Sequence, residues 1–343
     1  MALSLLGGLA LAGAKIPFLY DIAAQVRSLV AVPVLVLADI PIGRSLREAT
    51  GRFLSTHLVK EKDRARFDQI FVETLRRRDS RVAEILCVIL VYAASTVVIL
   101  AAPFESGSTW IHPGTYKGLS LAGYWYALVA LPIFQFLMLR WIYRLGIWAA
   151  ALRKISHLDL ALTPTHPDRT GGLGFLGHSL PPFGMILFAS SSVTSGIIAT
   201  RILFQGEKLQ DYQWSYLALF VILVVIVTAP MLVFAPKLLA LKERGLHQYG
   251  ELASTYNQAF HSKWVESVDV TEDRLLGTGD IQSQAALESS FRVVSEIKPV
   301  PFELGDFLGM IAPGLAPALP LLLTIMPASL LLKAFMKLAS SAA

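Results

Sequence analysis

Charge is scarce in this chain. Asp, Glu, Lys and Arg make up 16% of its 343 residues and hydrophobic residues 54%, where an ordinary globular protein is about 25% charged. A soluble domain does not dispense with so much charge. Cysteine is scarcer still: the lone Cys87 sits inside an apolar run, which excludes a disulfide framework and a thiolate metal site. There is no Gly-Lys-Ser/Thr phosphate loop, no zinc-protease histidine pair, no serine nucleophile elbow and no setting for a cysteine nucleophile. The net charge of +5 is spread along the chain, so no nucleic-acid partner is expected. These absences leave an integral membrane protein.

Long hydrophobic runs fill the gap. A helix rising 1.5 Å per residue needs about 20 apolar residues to cross a bilayer core of about 30 Å, and charge inside it is costly. Residues 85–104, 118–139, 179–200 and 212–236 meet that requirement without a single Asp, Glu, Lys or Arg. The expectation is therefore an all-α, polytopic membrane protein with four transmembrane helices forming a core over 81–236. The ends are less regular. Residues 1–14 are apolar but short, and 28–38 form a short run closed by Arg27 and Asp39, so 1–39 reads as an interfacial or re-entrant segment. Residues 305–334 are nearly uncharged but carry Pro313, Pro317, Pro320 and Pro327. Each proline removes a backbone donor and clashes with the preceding turn, so this segment reads as kinked or re-entrant, with a short tail over 335–343.

Basic residues set the expected orientation. Lys and Arg outnumber Asp and Glu in 40–80 and again in 140–178, whereas the loops around Lys117 and Arg201 are nearly balanced. The positive-inside rule places the two basic segments in the cytoplasm. Apolar residues spaced among charges over 40–80 read as amphipathic helices broken near Lys60 to Asp63, and 237–304 as a second cytoplasmic helical region with Asp280 at the start of a helix.

The most distinctive local sequence is the loop Thr163-Pro164-Thr165-His166-Pro167-Asp168-Arg169-Thr170-Gly171-Gly172-Leu173-Gly174, with His178 close behind. His166, Asp168 and His178 carry nitrogen and oxygen donors, Arg169 can meet an anion, and Gly171, Gly172 and Gly174 allow backbone amides to approach a bound group. The loop is a candidate ligand- or anion-binding site. The same residues also suit a tight structural turn, with Asp168 capping the next segment. A metal ion is an option at this loop; no other cofactor is expected.

The stretch 166–176, with Arg78-Asp79-Ser80 and Arg140-Trp141, resembles a group of uncharacterised bacterial multi-pass inner-membrane proteins. That resemblance implies a bacterial inner membrane and supplies no activity. The triplet His166-Pro167-Asp168 also resembles the tripeptide with which J-domain co-chaperones contact Hsp70, but here an uncharged span comes where that family has a soluble helix.

Two features bear on function. The third run is rich in hydroxyls, with Ser191, Thr194 and Ser195 at its centre, and Arg140 and Arg144 share a helical face at the exit of the second. Together they are the candidate pathway of an oligomeric channel or transporter for ions or small solutes, with the lipid bilayer and further copies of the chain as partners. A membrane enzyme using the 166–178 loop and a non-catalytic scaffold are the alternatives.

Overall fold

A computed structural model describes residues 4, 7–11, 15–101, 109–111, 118–266 and 279–322, leaving aside the side chains of 97–101. The chain is all-α. Its long helical segments are α1 (Ile22–Ser55), α2 (Glu61–Arg78), α3 (Arg81–Ala101), α4 (Leu121–Ser156), α5 (Gly184–Gln205), α6 (Leu209–Glu266), α7 (Asp280–Ser295) and α8 (Leu304–Leu322). Among the described residues the extended backbone pairings are two isolated bridges, Ile16 with Thr109 and Val59 with Leu160. Several of the helices are long and apolar enough to cross a membrane: α1, α4, the stretch ending in α5, α6 and α8. This is the architecture of a multi-pass membrane protein.

The helix α5 is the core of the bundle. Of its apolar stretch 67% is buried, against 28% for α1 and α4 and 17% for α8. Small residues explain the depth. A Cβ on Gly184 would stand 2.8 Å from the Met310 carbonyl oxygen of α8, and one on Gly314 would stand 2.7 Å from Leu187 Cβ of α5. The two helices thus touch backbone to backbone at Gly184 and backbone to side chain at Gly314, as small-residue packing between membrane helices allows.

Proline shapes the helices that surround it. Pro33 in α1 and Pro132 in α4 each come after a widened turn, Arg27–Ala31 and Tyr126–Ala130, whose hydrogen bonds span five residues instead of four. The widening makes room for a ring that would otherwise strike the carbonyl four residues back. At Pro132 that carbonyl is Leu128, and it accepts a hydrogen bond from the Tyr92 hydroxyl of α3 at 3.1 Å. The acceptor released by proline is satisfied by a neighbouring helix, as membrane interiors require. Ser95 Oγ donates to Gln135 Oε1 at 2.7 Å on the same seam.

The bundle has two distinct ends. At one, Trp110 donates its amide to Ile16 at 3.0 Å and its indole to Asp21 at 2.9 Å, while the Ala23 amide reaches Thr200 of α5. At the other lie the α1–α2 junction, the 157–183 loop and the start of α8. Residues 22–38 run from the first end to the second. Hydropathy alone makes them too short to cross because Asp39 closes the run. In the structure the helix continues past Asp39, whose carboxylate pairs with Arg144 of α4, so the charge ends neither the helix nor its packing. Other expectations are met differently. The break between the two amphipathic helices falls just before Glu61. The Asp280 carboxylate binds Lys263 and Trp264 of α6 rather than capping its own helix. Helix α8 is traced to Leu322, with a tight turn over Ala316–Ala318 at Pro317. Most of 1–14 and all of 323–343 lie outside the described residues.

The α5–α8 contact makes a direct prediction. Gly184→Leu and Gly314→Leu each overfill a packed seam and should cost about 1–3 kcal/mol, lowering the melting temperature in detergent. A Cβ on Gly146 meets nothing within 4 Å, so Gly146→Ala should leave the melting temperature where it is.

Candidate functional site

The 166–178 loop is organised around one carboxylate. Asp168 Oδ1 accepts from the amides of Thr170 at 2.9 Å and Gly172 at 3.1 Å, and Oδ2 accepts from the Gly174 amide at 2.9 Å. His166 Nδ1 lies 2.8 Å from Oδ1. The Asp168 amide also stands 3.4 Å from that nitrogen, but the shorter contact needs the proton on Nδ1, so the ring donates to the carboxylate. Four donors use up the acceptor capacity of a carboxylate. Burial pulls the Asp168 pKa up, but the amides of Thr170, Gly174 and Gly172 outweigh it and hold the group below its ordinary value. Three residues of the turn have positive φ, Gly171 at 65°, Gly172 at 99° and, unusually for a side chain this large, Arg169 at 55°.

The turn so made ties together the whole end of the bundle. The Arg169 carbonyl accepts from the Lys298 amide at 2.8 Å, and Arg169 Nε meets Glu296 at 3.0 Å. Gly171 packs against Leu241 of α6. Just before the turn, Asp159 binds Lys60 at 2.8 Å and Lys62 at 2.7 Å. Its carboxyl is held at about 2, first by the Lys60 hydrogen bond and then by that of Lys62. The Asp159 amide donates to Asp63 at 3.1 Å, and the Ala161 amide to Leu58 at 2.8 Å.

Of the loop residues singled out from sequence, His166, Asp168, Gly172, Gly174 and His178 border one cavity of about 330 Å³, beside Arg52 and Glu303. Arg169 and Gly171 do not. The cavity is small for a ligand site, which typically measures about 300–1,000 Å³. Among the described residues no three His, Cys, Asp or Glu side chains gather as metal ligands do.

The hydroxyls of α5 are turned to its own packing. Ser190, Ser191, Ser192 and Ser195 are buried. Ser190 and Thr194 donate to carbonyls four residues back, at 2.9 and 3.0 Å, and Ser191 meets the Tyr216 hydroxyl of α6. Ser195 Oγ has no hydrogen-bond partner among the described residues. None of Ser191, Thr194 and Ser195 borders either of the two cavities described here.

Arg144 leads to a different place. It lines a cavity of about 800 Å³ enclosed by α1, α2 and α4. Charged groups collect at one end. Arg144 pairs with Asp39 and lies over the Trp141 ring, 5.3 Å from its centroid, and Arg78 grips Asp79 with two hydrogen bonds of 2.8 and 2.9 Å. The Arg78 bonds hold the Asp79 carboxyl below its ordinary value, with Arg144 adding to the effect. Away from that end the walls are apolar, with Leu46, Phe67, Ile70, Trp148 and Ile155 among them. Arg140 does not line the cavity. Sequence reasoning identified Arg144 and the Arg78-Asp79 pair but had no means of joining them to Asp39. The available signal was that each is a charge at the edge of an apolar run, where it calls for a partner.

Comparison of the chain with protein-family models, curated proteins and solved structures finds no match.

Two outcomes test the assignments inside the bundle. Asp168→Ala strands three amides and should cost about 3 kcal/mol or more, each bond to a charged acceptor being worth about 1.5–3 kcal/mol. Because the folded pKa is depressed, the stabilisation is complete above the unfolded value of about 3.9 and is lost as pH falls through the folded value. Melting temperatures from pH 7 to pH 3 should therefore converge for wild type and Asp168→Asn. Ser195→Ala removes a buried, unpaired hydroxyl and should leave the melting temperature unchanged or raise it by the equivalent of about 1 kcal/mol.

Proposed function

We propose that the protein is a multi-pass transporter of the bacterial inner membrane, with its basic loops in the cytoplasm, and that its solute binds in the 800 Å³ cavity between α1, α2 and α4. The observation that carries this reading is the cavity itself. Its volume lies within the range of about 300–1,000 Å³ common to ligand sites, and it joins apolar walls to a few polar groups. In this reading its mouth is the charged end lined by Asp79, just before α3, and Asp39, where the apolar run of α1 ends, which is the level of the membrane interface. Positive-inside placement of 40–80 and 140–178 puts this mouth on the cytoplasmic side. The apolar runs of α1, α3, α4, α5 and α6 then cross the membrane, one more than the four read from hydropathy alone.

A solute path along the α5 hydroxyls has less support, since those side chains bond within the bundle. In this reading the loop around Asp168 braces the cytoplasmic end. The homo-oligomer expected from sequence has a candidate surface on the outer face of α6, where Trp214, Leu217, Val221 and Val225 are exposed; light scattering in detergent gives its mass.

Flux tests the proposal. In proteoliposomes loaded for counterflow with a panel of labelled solutes, the wild-type protein should exchange at least one solute above protein-free vesicles. Gly43 lines the cavity, and a Cβ there would have the end of Arg47 at 3.6 Å. Gly43→Phe should thus plug the cavity, lowering exchange more than tenfold while the elution profile and melting temperature hold. Exchange that ignores the plug, or none by the wild type across the panel, counts against a transporter working through this cavity.

A further inference from the structure

The solute class can be read from how charge and apolar surface are divided in the cavity. Three helices line it in parallel sense. Along α1 the lining runs from Asp39 to Thr50, along α2 from Arg78 back to Phe67, and along α4 from Trp141 to Ile155. On α2 and α4 charge comes at the membrane end and apolar side chains beyond it, while on α1 Asp39 stands at that end and Arg47 lies about two turns further along. From Asp39 to Thr50 the slot extends roughly 16 Å at 1.5 Å per residue.

The charges at the head of the slot do not cancel. Arg78 and Arg144 are paired with Asp79 and Asp39. Arg47 also lines the cavity and makes no ion pair or side-chain hydrogen bond among the described residues. Its guanidinium reaches back along α1: Nη1 lies 3.6 Å from where a Cβ on Gly43 would be, which carries the charge toward the Asp39 end. Three guanidinium groups against two carboxylates leave a surplus of one positive charge.

Each simpler ligand leaves part of this surface unmatched. A small polar ion has nothing to set against Leu46, Phe67, Ile70 and Trp148. A neutral hydrocarbon makes no use of the Arg47 charge at the exposed edge of the cavity. A cation meets the surplus positive charge. An alkyl chain with one negative charge at its end satisfies both halves, because a guanidinium holds a carboxylate or phosphodiester with charge-assisted hydrogen bonds.

We propose that the cavity binds a single-chain amphiphile whose head carries one negative charge, with the head at Arg47 and the chain along Leu46, Ile70, Trp148 and Ile155. This names the substrate class of the transport site above, and rests on that reading for the transport step but not for binding.

Two tryptophans in the wall supply the test. Trp141 and Trp148 line the cavity, and bromine on a bound chain quenches indole fluorescence at short range. The full-length protein in zwitterionic nanodiscs is titrated at pH 9 with a brominated fatty acid, a brominated single-chain phosphodiester lipid and the brominated alcohol of equal chain length. Saturable quenching is expected, with at least one anionic head preferred over the alcohol by about tenfold, the equivalent of one charge-assisted hydrogen bond. Trp148→Phe should remove a large part of the quenching. Arg47 is exposed and unpaired among the described residues, so Arg47→Gln should fold normally and erase the preference while leaving chain binding, and Gly43→Phe should abolish the saturable phase.

Equal affinity for all three probes overturns the anionic class. Quenching that rises without saturation, or that survives Gly43→Phe, overturns the site. Saturable anion-selective binding without flux supports this inference and defeats the transport reading; flux of a small hydrophilic solute without amphiphile binding does the reverse.

Discussion

One carboxylate sets the geometry on which one end of the helical bundle rests. Asp168 gathers the amides of Thr170, Gly172 and Gly174 and the His166 ring onto two oxygens, and so winds the chain between α4 and α5 into a compact turn. The outer surface of that turn receives the other elements. Lys298 comes to it from the segment before α8, Glu296 from the end of α7 and Leu241 from α6. Such a turn needs an ionised acceptor that does not itself donate, since a protonated carboxyl offers a hydrogen where an amide already points. Charge here organises backbone. Histidine, aspartate and glycine in one loop suggest chemistry, yet in the structure these groups are occupied with one another.

The membrane half obeys a different constraint. Where water is absent, every backbone group needs a partner inside the protein, and proline breaks that rule wherever it occurs inside a helix. The chain answers with a widened turn before Pro33 and another before Pro132, and with Tyr92 reaching across to the Leu128 carbonyl. Packing supplies the other half of the solution. Lipid tails are as apolar as leucine, so burying apolar surface does not by itself pull helices together in a membrane. Close approach at Gly184 and Gly314 lets α8 lie against α5, and two serines of α5, Ser190 and Ser192, small enough for a crowded interior, bond to their own helix while Ser191 meets Tyr216 of α6.

Legibility in the sequence is a matter of range. The apolar runs behind α3 to α6 announce themselves because hydropathy is a local property that a 1.5 Å rise converts to length. Residues 28–38 mislead for the same reason: locally the run ends at Asp39, and only Arg144, 105 positions away, shows why the charge is tolerated. Likewise the hydroxyl stripe at Ser191 to Ser195 is visible as composition, while its direction, into the bundle, depends on neighbours that are remote in the chain. The alternative structural reading of the 166–178 loop was legible from Pro167 and the glycines; that Arg169 is engaged by Glu296 was not. The large cavity leaves the faintest trace, because its walls come from three helices and its charges, Asp39, Arg78, Asp79 and Arg144, each look like ordinary anchors at the end of a span.

Those charges are more than anchors because of where they stand relative to one another. An isolated ion at the edge of the hydrocarbon can snorkel to water and needs no partner. Here Asp39 and Arg144 face each other across two helices, and Arg78 and Asp79 close the same end, so the ions are shared between helices. A paired set of this kind lowers the cost of holding charge beside apolar walls, but only while the set is balanced. Arg47 unbalances it. Placed on α1 next to Gly43, which leaves space above the helix, it adds a cation that the described protein does not neutralise. Water satisfies it at the exposed edge of the cavity, and an anionic head there gains a charge-assisted partner while its chain lies against the apolar walls. In the proposed reading, the same arrangement that makes the cavity tolerable beside apolar walls favours a ligand that couples one negative charge to an apolar chain.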